Sequence, residues 1–333
     1  MPFQDTDNKQ LIRREWNRKQ IETMLRILGK KLTYFGLCGQ EAKDLSDWKD
    51  LLDQHKTAIE RLRKTNWDED QDLGTRMLRR VSRLGLDEGF ELLRGDIEDI
   101  LIDGRDVYGN QPQLQHYELV NLDYNSGIGF KDEEHYKAKR VKAYHKLFEK
   151  QAGQDFLLFV TLTARSKMYG ELEYYLQDNV LKQVHTNKLR EIVKWYSQRG
   201  RGQELYKVKA VLGNLIPYIA GHYHYKIVSF PPIHYEGHEK TQLIHFSFIC
   251  RYVPRLDLPV GYYQTTEDII QLPLLEVANG QIIVAENQHP FCIAIPKDDG
   301  MQYLKAGIDS VDRLFSIPSP KIEARKSKRV GKK

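Results

Sequence analysis

LTYFGLCGQEAKDLSDWKDLL, residues 32 to 52, decides how the chain is read. Leu32, Tyr34, Phe35 and Leu37 form an apolar run that predicts a buried strand. Gly36 and Gly39 break it, and the acidic stretch that follows predicts an amphipathic helix over 41–55. Strand, glycine turn and helix is the opening unit of a parallel α/β sheet, where bare backbone at the turn lets a ligand come close. The glycines are spaced G-x-x-G, with Cys38 between them.

Outward from this unit the pattern repeats. KTAIERLR (56–63) predicts a strand that carries Ile59 and Glu60, and 72–86 an amphipathic helix. GFELLRGDIEDILI (89–102) reads as a short strand that ends at Gly95-Asp96 and runs into a helical turn. YELVNLDYNSGIGF (117–130) is an apolar strand that ends in polar residues and glycines. A charged helix over 132–151 and the apolar DFLLFVTLTARS (155–166), the strongest strand signal in the chain, follow. Before the unit, 8–30 predicts a helix with Leu11, Trp16, Ile21, Met24, Leu25 and Leu28 inward and Gly29 as its stop. Its other face, with Arg13, Arg14, Arg18, Lys19 and Arg26, reads as solvated.

Alternation of strands and helices implies crossover connections and a mostly parallel sheet with helices on both faces. Helices over 171–197 and 203–221 flank an RGRG turn. YKIVSFPPIHY (225–235) and QLIHFSFICRYV (242–253) predict an antiparallel hairpin, with Phe-Pro-Pro as an edge bulge. Asn279-Gly280 predicts a further hairpin turn, and 301–315 a helix. The expected fold is α/β: a Rossmann-like sheet finished by an antiparallel hairpin. The expected organisation is an N-terminal helix (1–30), the α/β domain (31–253), a small C-terminal extension (254–320) and a basic disordered tail (321–333).

Composition narrows the class. At 41% hydrophobic and 29% charged, the 333 residues can bury a large core. No apolar run reaches the length of a membrane span, and the first residues contain no apolar signal-peptide core. Three scattered cysteines argue against a disulfide framework and fit a reducing cytoplasm. Residues 321–333 hold seven Lys/Arg and one acid, a charge of +6, which leaves −1 for the rest of a chain of net charge +5. The tail therefore reads as a phosphate-seeking arm or a solubilising terminus. Motifs of serine hydrolases, P-loop NTPases and common zinc enzymes are absent, and the histidines (His222, His224, His234, His238, His245) lack the carboxylate spacing of a metal site, so no metal is expected.

In element order, and in the polar residues at four successive strand ends, residues 30–253 resemble the class I S-adenosylmethionine-dependent methyltransferase family. The resemblance implies that Gly36, Cys38 and Gly39 pass under the methionine part of S-adenosylmethionine. It implies that Glu60 accepts both ribose hydroxyls, and that Asp96 and Ile97 border the adenine. Asp96 also reads as a helix N-cap. At the fourth strand, NLDY occupies the place where amino-group methyltransferases carry a polar residue, two prolines and an aromatic ring. It implies Asn121, Asp123 and Tyr124 as the residues that face the acceptor; the prolines are missing here.

KLREIVKWYSQRGRGQELYKVKA (188–210) mixes basic and aromatic residues, as single-stranded nucleic-acid sites do. Lys194, Arg199 and Arg201, with Lys326 and Arg329 of the tail, are its candidate contacts. The expected function is methyl transfer to an amino or ring nitrogen of a base in DNA or RNA. The alternatives are an inactive subunit of the same fold that binds nucleic acid or a protein partner, and a metal-dependent nuclease built on Glu60, Asp96 and Asp123.

Overall fold

The computed structural model of the protein describes residues 6–39, 41–61, 67–124, 126–127, 138–164, 187–198, 204–254, 258, 261–285 and 299–318. Five parallel strands form its centre: β1 (Leu32–Gly36), β2 (Leu52–Glu60), β3 (Phe90–Arg94), β4 (Leu119–Asp123) and β5 (Phe156–Thr163), in the order β3-β2-β1-β4-β5. The order reverses between β1 and β4, so the carboxyl ends of these two strands flank the switch point where ligands bind in such sheets. All eight residues of β5 are buried, which explains its unbroken apolar sequence.

The antiparallel β8 (Gln242–Tyr252) closes the parallel set against β5. The predicted hairpin partner of β8 is two strands, β6 (Tyr225–Ser229) and β7 (Ile233–Glu236), both paired to β8. From Ser229↔Phe248 to Ile233↔His245 the Phe-Pro-Pro segment spends one residue more than β8, which is a bulge. Pro231 and Pro232 have no N–H to donate to the ladder, so the strand breaks there. On one side of the bulge β6 pairs with β8 alone among the described strands, as expected of an edge, while on the other β9 (Leu275–Ala278) adds in parallel to β7 and β10 (Gln281–Val284) completes a hairpin with β9. Asn279 and Gly280 turn that hairpin with φ of 51° and 73°, as their sequence predicts.

Helices cover both faces. On one face α5 (Ile97–Asp103), α6 (Lys139–Lys150), α7 (Asn187–Ser197), α8 (Glu204–His222) and α9 (Thr266–Gln271) bury Ile100, Phe148, Ile192, Val211 and Ile269 against the sheet. On the other, α3 (Lys43–Asp47), α4 (Trp67–Arg83), α10 (Gly300–Ser316) and the N-terminal helices bury Leu45, Val81, Leu304 and Trp16. Among the described residues no helix is long and apolar enough to cross a membrane.

Two predicted helices differ in form. The helix expected over 41–55 is only the short α3, because Trp48 buries and closes a turn (Leu51 N to Trp48 O, 2.8 Å) that sends the chain into β2 at Leu52. Sheet pairing overrides local helical pattern there. The helix expected over 8–30 stops at Gly29 (φ 67°) as predicted, yet it comprises α1 (Asp7–Leu11), a π-helical turn (Ile12–Asn17) and α2 (Arg18–Leu28). A π turn widens the helix, and such turns recur at functional sites.

Candidate functional site

Gly36 ends β1 opposite Asn121 of β4. A Cβ on it would overlap the Asn121 carbonyl oxygen, and Leu37 N donates to that oxygen at 2.9 Å. Cys38 turns into the core, and burial, then the nearby Asp44 carboxylate, push its thiol up. Gly39 has φ +64° and open space where a side chain would project. At the end of β2, Glu60 is buried 3.4 Å from Arg94 Nε. After β3, Asp96 caps α5 by accepting from Glu98 N at 2.9 Å, as its sequence context predicts, and Ile97 buries as the first helical residue.

Along β4 successive side chains alternate between faces. Asn121 and Asp123 share the face covered by the N-terminal segment. Asn121 Nδ2 donates to Asp44 Oδ2 at 2.7 Å, and Arg13 Nε donates to Asp44 Oδ1 at 2.6 Å. Arg13 also reaches Asp47 at 3.1 Å and is buried, whereas its place on a basic helix face predicts a solvated side chain. Lys9 Nζ donates to Asp123 Oδ2. Four residues apart, Lys9, Arg13 and Asn17 thus line up along one face of the N-terminal segment and meet Asp123, Asp44 and His245 in turn.

His245 lies 2.9 Å from Asn17 Oδ1 through Nε2 and 2.9 Å from Thr161 Oγ1 through Nδ1. With Tyr235 these groups line a polar cavity of about 20 Å³ beside Asp123, room for one water-sized group. Burial, then the Lys9 charge, depress His245 to about 3, so the ring is neutral. Between about pH 3 and 6.5 the unfolded chain therefore takes up a proton that the folded one refuses. The stability contribution is full above pH 6.5 and is lost as pH falls toward 3. We expect His245→Asn to flatten this acid slope by up to about 1.4 kcal/mol per pH unit. Urea melts of both proteins at pH 7 and pH 5 measure it; parallel slopes would show a solvated ring.

Tyr124 is not beside Asp123. It faces the opposite side of the sheet, buried, with the Arg140 guanidinium 3.8 Å above its ring. Arg140 donates to Glu98 Oε1 at 2.7 Å and to Ser126 Oγ at 3.1 Å, and so ties the exit of β4 to the first turn of α5. Burial, then Asp96, push the Glu98 carboxyl up.

Sequence reasoning missed Lys9, Asn17, Asp44 and Arg140 as members of the site, and it weighed His245 only as a metal ligand. One signal was present: Asp44, Asp47 and Asp50 recur every third residue, and they receive Arg13, Arg14 and Arg18. Among the described residues no three His, Cys, Asp or Glu side chains converge to hold a metal, which leaves the nuclease reading without its acid cluster.

Among its described residues the basic aromatic stretch divides between core and surface. Lys207 and Lys209 of α8 are buried, Lys209 Nζ donates to Ile270 O at 2.9 Å, and Trp195 packs edge-on against Tyr206 at 5.5 Å. Lys194 is exposed on α7. Arg199, Arg201, Lys326 and Arg329 lie outside the described residues.

The order β3-β2-β1-β4-β5, closed by an antiparallel β8, defines the class I S-adenosylmethionine-dependent methyltransferase fold. The chain belongs to the PP_RS20740-like family, whose profile matches residues 7–210. Comparison with curated proteins gives no match. Among solved structures it is similar to the O-methyltransferase TomG from Streptomyces achromogenes, at 11% identity over 75% of this chain and 92% of that one, TM-score 0.36. It is similar also to the methyltransferase domain of bacterial CtHen1-C, at 16% identity over 72% and 98%, TM-score 0.35. A cyclopropane-fatty-acyl-phospholipid synthase-like protein from Lactobacillus casei matches at 12% identity over 75% and 95%, TM-score 0.28.

Proposed function

We propose that the protein is a cytoplasmic S-adenosylmethionine-dependent methyltransferase that acts on an amino or ring nitrogen of a nucleic-acid base. The observation that carries this reading is the gathering of Gly39, Glu60 and Asp96 at the ends of β1, β2 and β3, next to the switch point. These residues fit the cofactor. Gly39 leaves open space for the methionine part, and Cys38 keeps its thiol out of that space. Glu60 offers the ribose a carboxylate, and Asp96 Oδ2, which lies 3.6 Å from Lys139 Nζ, has a second lone pair for the adenine amino group. When bound, S-adenosylmethionine supplies an electrophilic methyl group. Asp123 then orients the acceptor's N–H, while Asn121, held through Asp44 and Arg13, fixes the strand end. Exposed Lys194 and the basic tail support a phosphate-bearing substrate.

A second reading, an inactive subunit that binds nucleic acid or protein, draws support from the chain's use of its own groups: Lys9 occupies Asp123, Asp44 occupies Asn121, and Tyr124 faces away. Calorimetric titration with S-adenosylmethionine and S-adenosylhomocysteine separates the two. Micromolar binding, weakened by roughly 2–4 kcal/mol in Glu60→Ala through loss of charge-assisted hydrogen bonds, supports the enzyme. Silence at millimolar ligand supports the subunit.

A further inference from the structure

Lys9 presents an ammonium to a carboxylate at the carboxyl end of β4, where the reading above needs an acceptor nitrogen. We propose that Asp123 is the seat for a small cationic or neutral primary amine on the acceptor, and that Lys9 fills this seat with its own ammonium until the acceptor displaces α1. The proposal rests on the methyltransferase reading and narrows its acceptor to an exocyclic or aliphatic amine.

Charge supports it. The cleft is lined by two cations, Lys9 and Arg13, and two carboxylates, Asp44 and Asp123, while His245 is neutral. Withdrawal of Lys9 leaves the lining with one net negative charge. Arg13 does not restore the balance, because Asp44 and Asp47 hold it in the core. The vacated seat therefore calls for another cation or N–H donor of the same size.

The local fold lets Lys9 leave. α1 has five residues and buries none of them, whereas the next turn buries Ile12, Arg13, Trp16 and Asn17. The core thus pins the chain from Ile12 onward, while α1 is held by lighter ties, Asn8 Nδ2 to Glu236 O at 3.2 Å and the half-buried Leu11, which a swing of Lys9 has to break. The π turn that begins at Ile12 is a natural point for α1 to swing. Polarity supports the amine as well. With Lys9 in place the cavity next to Asp123 still takes one water-sized group among the oxygens and nitrogens of Asn17, Thr161, Tyr235 and His245, so a nitrogen head that replaces Lys9 meets further polar partners there.

Transfer at this seat is balanced. An acceptor that arrives as an ammonium first releases one proton to solvent water, and the neutral amine then keeps one N–H on Asp123 and directs its lone pair at the methyl carbon. The N–C bond forms as the C–S bond breaks, the sulfonium becomes a thioether, and the positive charge passes to the methylated ammonium.

The test uses Lys9→Ala and Lys9→Met of the full chain, with methylammonium chloride as the probe. Each variant should show a thermal midpoint that rises saturably with methylammonium, by about 2 °C at high occupancy, beyond the effect of equal sodium chloride. The rise should vanish when Asp123→Asn is added. A midpoint that follows ionic strength alone, in both variants, overturns the seat. Titration of the unchanged protein with S-adenosylmethionine keeps the two claims apart. Cofactor binding without methylammonium rescue leaves the methyltransferase reading standing and sinks this one. Rescue without cofactor binding overturns the assignment of the seat to an acceptor.

Discussion

Arg13→Ala is expected to lower the unfolding free energy by about 3–5 kcal/mol, the largest effect of any single change in the site. The guanidinium is buried, and it bonds Asp44 at 2.6 Å and Asp47 at 3.1 Å. Its truncation strands the Asp44 carboxylate in the interior, where burial already pushes that carboxyl up against the pull of Arg13. Asp44 in turn receives Asn121, so the damage reaches the end of β4. The π turn, whose backbone carbonyl at Arg13 accepts from Trp48 Nε1 at 3.0 Å, should loosen with it. Neutralising both partners is the informative control. Arg13→Met combined with Asp44→Asn removes both charges of the pair, leaves Asp47 to Arg14 and keeps an amide oxygen for Asn121, so it should recover about 2 kcal/mol of the loss. Urea melts of the three proteins decide the matter, and a cost below about 1 kcal/mol for Arg13→Ala would falsify the buried pair.

Gly36→Ala should cost about 3 kcal/mol by overpacking. The added methyl overlaps the Asn121 carbonyl oxygen and comes within 2.9 Å of its carbon, both backbone atoms of a central strand that has no room to retreat. Relief requires β1 and β4 to part, which lengthens the Leu37–Asn121 hydrogen bond. Gly39→Ala is the contrast. Space is open there, and only the left-handed φ of 64° opposes a side chain, a strain of about 1–2 kcal/mol. Denaturant midpoints in the order unchanged, Gly39→Ala, Gly36→Ala are expected; the reverse order would mean that the first glycine serves only a turn.

These two glycines show what was legible in the sequence. Strand ends could be read because apolar runs stop abruptly there, and Gly36, Glu60, Asp96 and Asp123 all fall at or just beyond the ends of the strands in which they were placed. The helix over 41–55 was misread because Leu51 and Leu52 suit a helix face as well as a strand, and only pairing with β1 chooses between them. Arg13 was invisible for another reason. Helical periodicity assigns a face to each residue, and a π turn changes the period, so a residue counted on the wet face arrives in the core. Tyr124 was placed beside Asp123 because the two are neighbours in sequence, although neighbours on a strand point to opposite faces. The buried lysines of α8 hid in the same way: composition counts them as surface charge, and only the fold reveals a backbone carbonyl waiting for Lys209.

The pairing of β5 with β8 has a consequence for how the chain is made. All eight residues of FLLFVTLT pair with residues 243–250, so the strand's second edge waits for a partner that lies about 80 residues downstream. At roughly 5–20 residues per second, a ribosome delivers that partner some 4–16 seconds after β5 emerges. For that interval an apolar strand with unpaired amides stands open to any other nascent chain. Slower translation between residues 164 and 242 is therefore expected to lower the soluble yield, which synonymous recoding of that stretch measures.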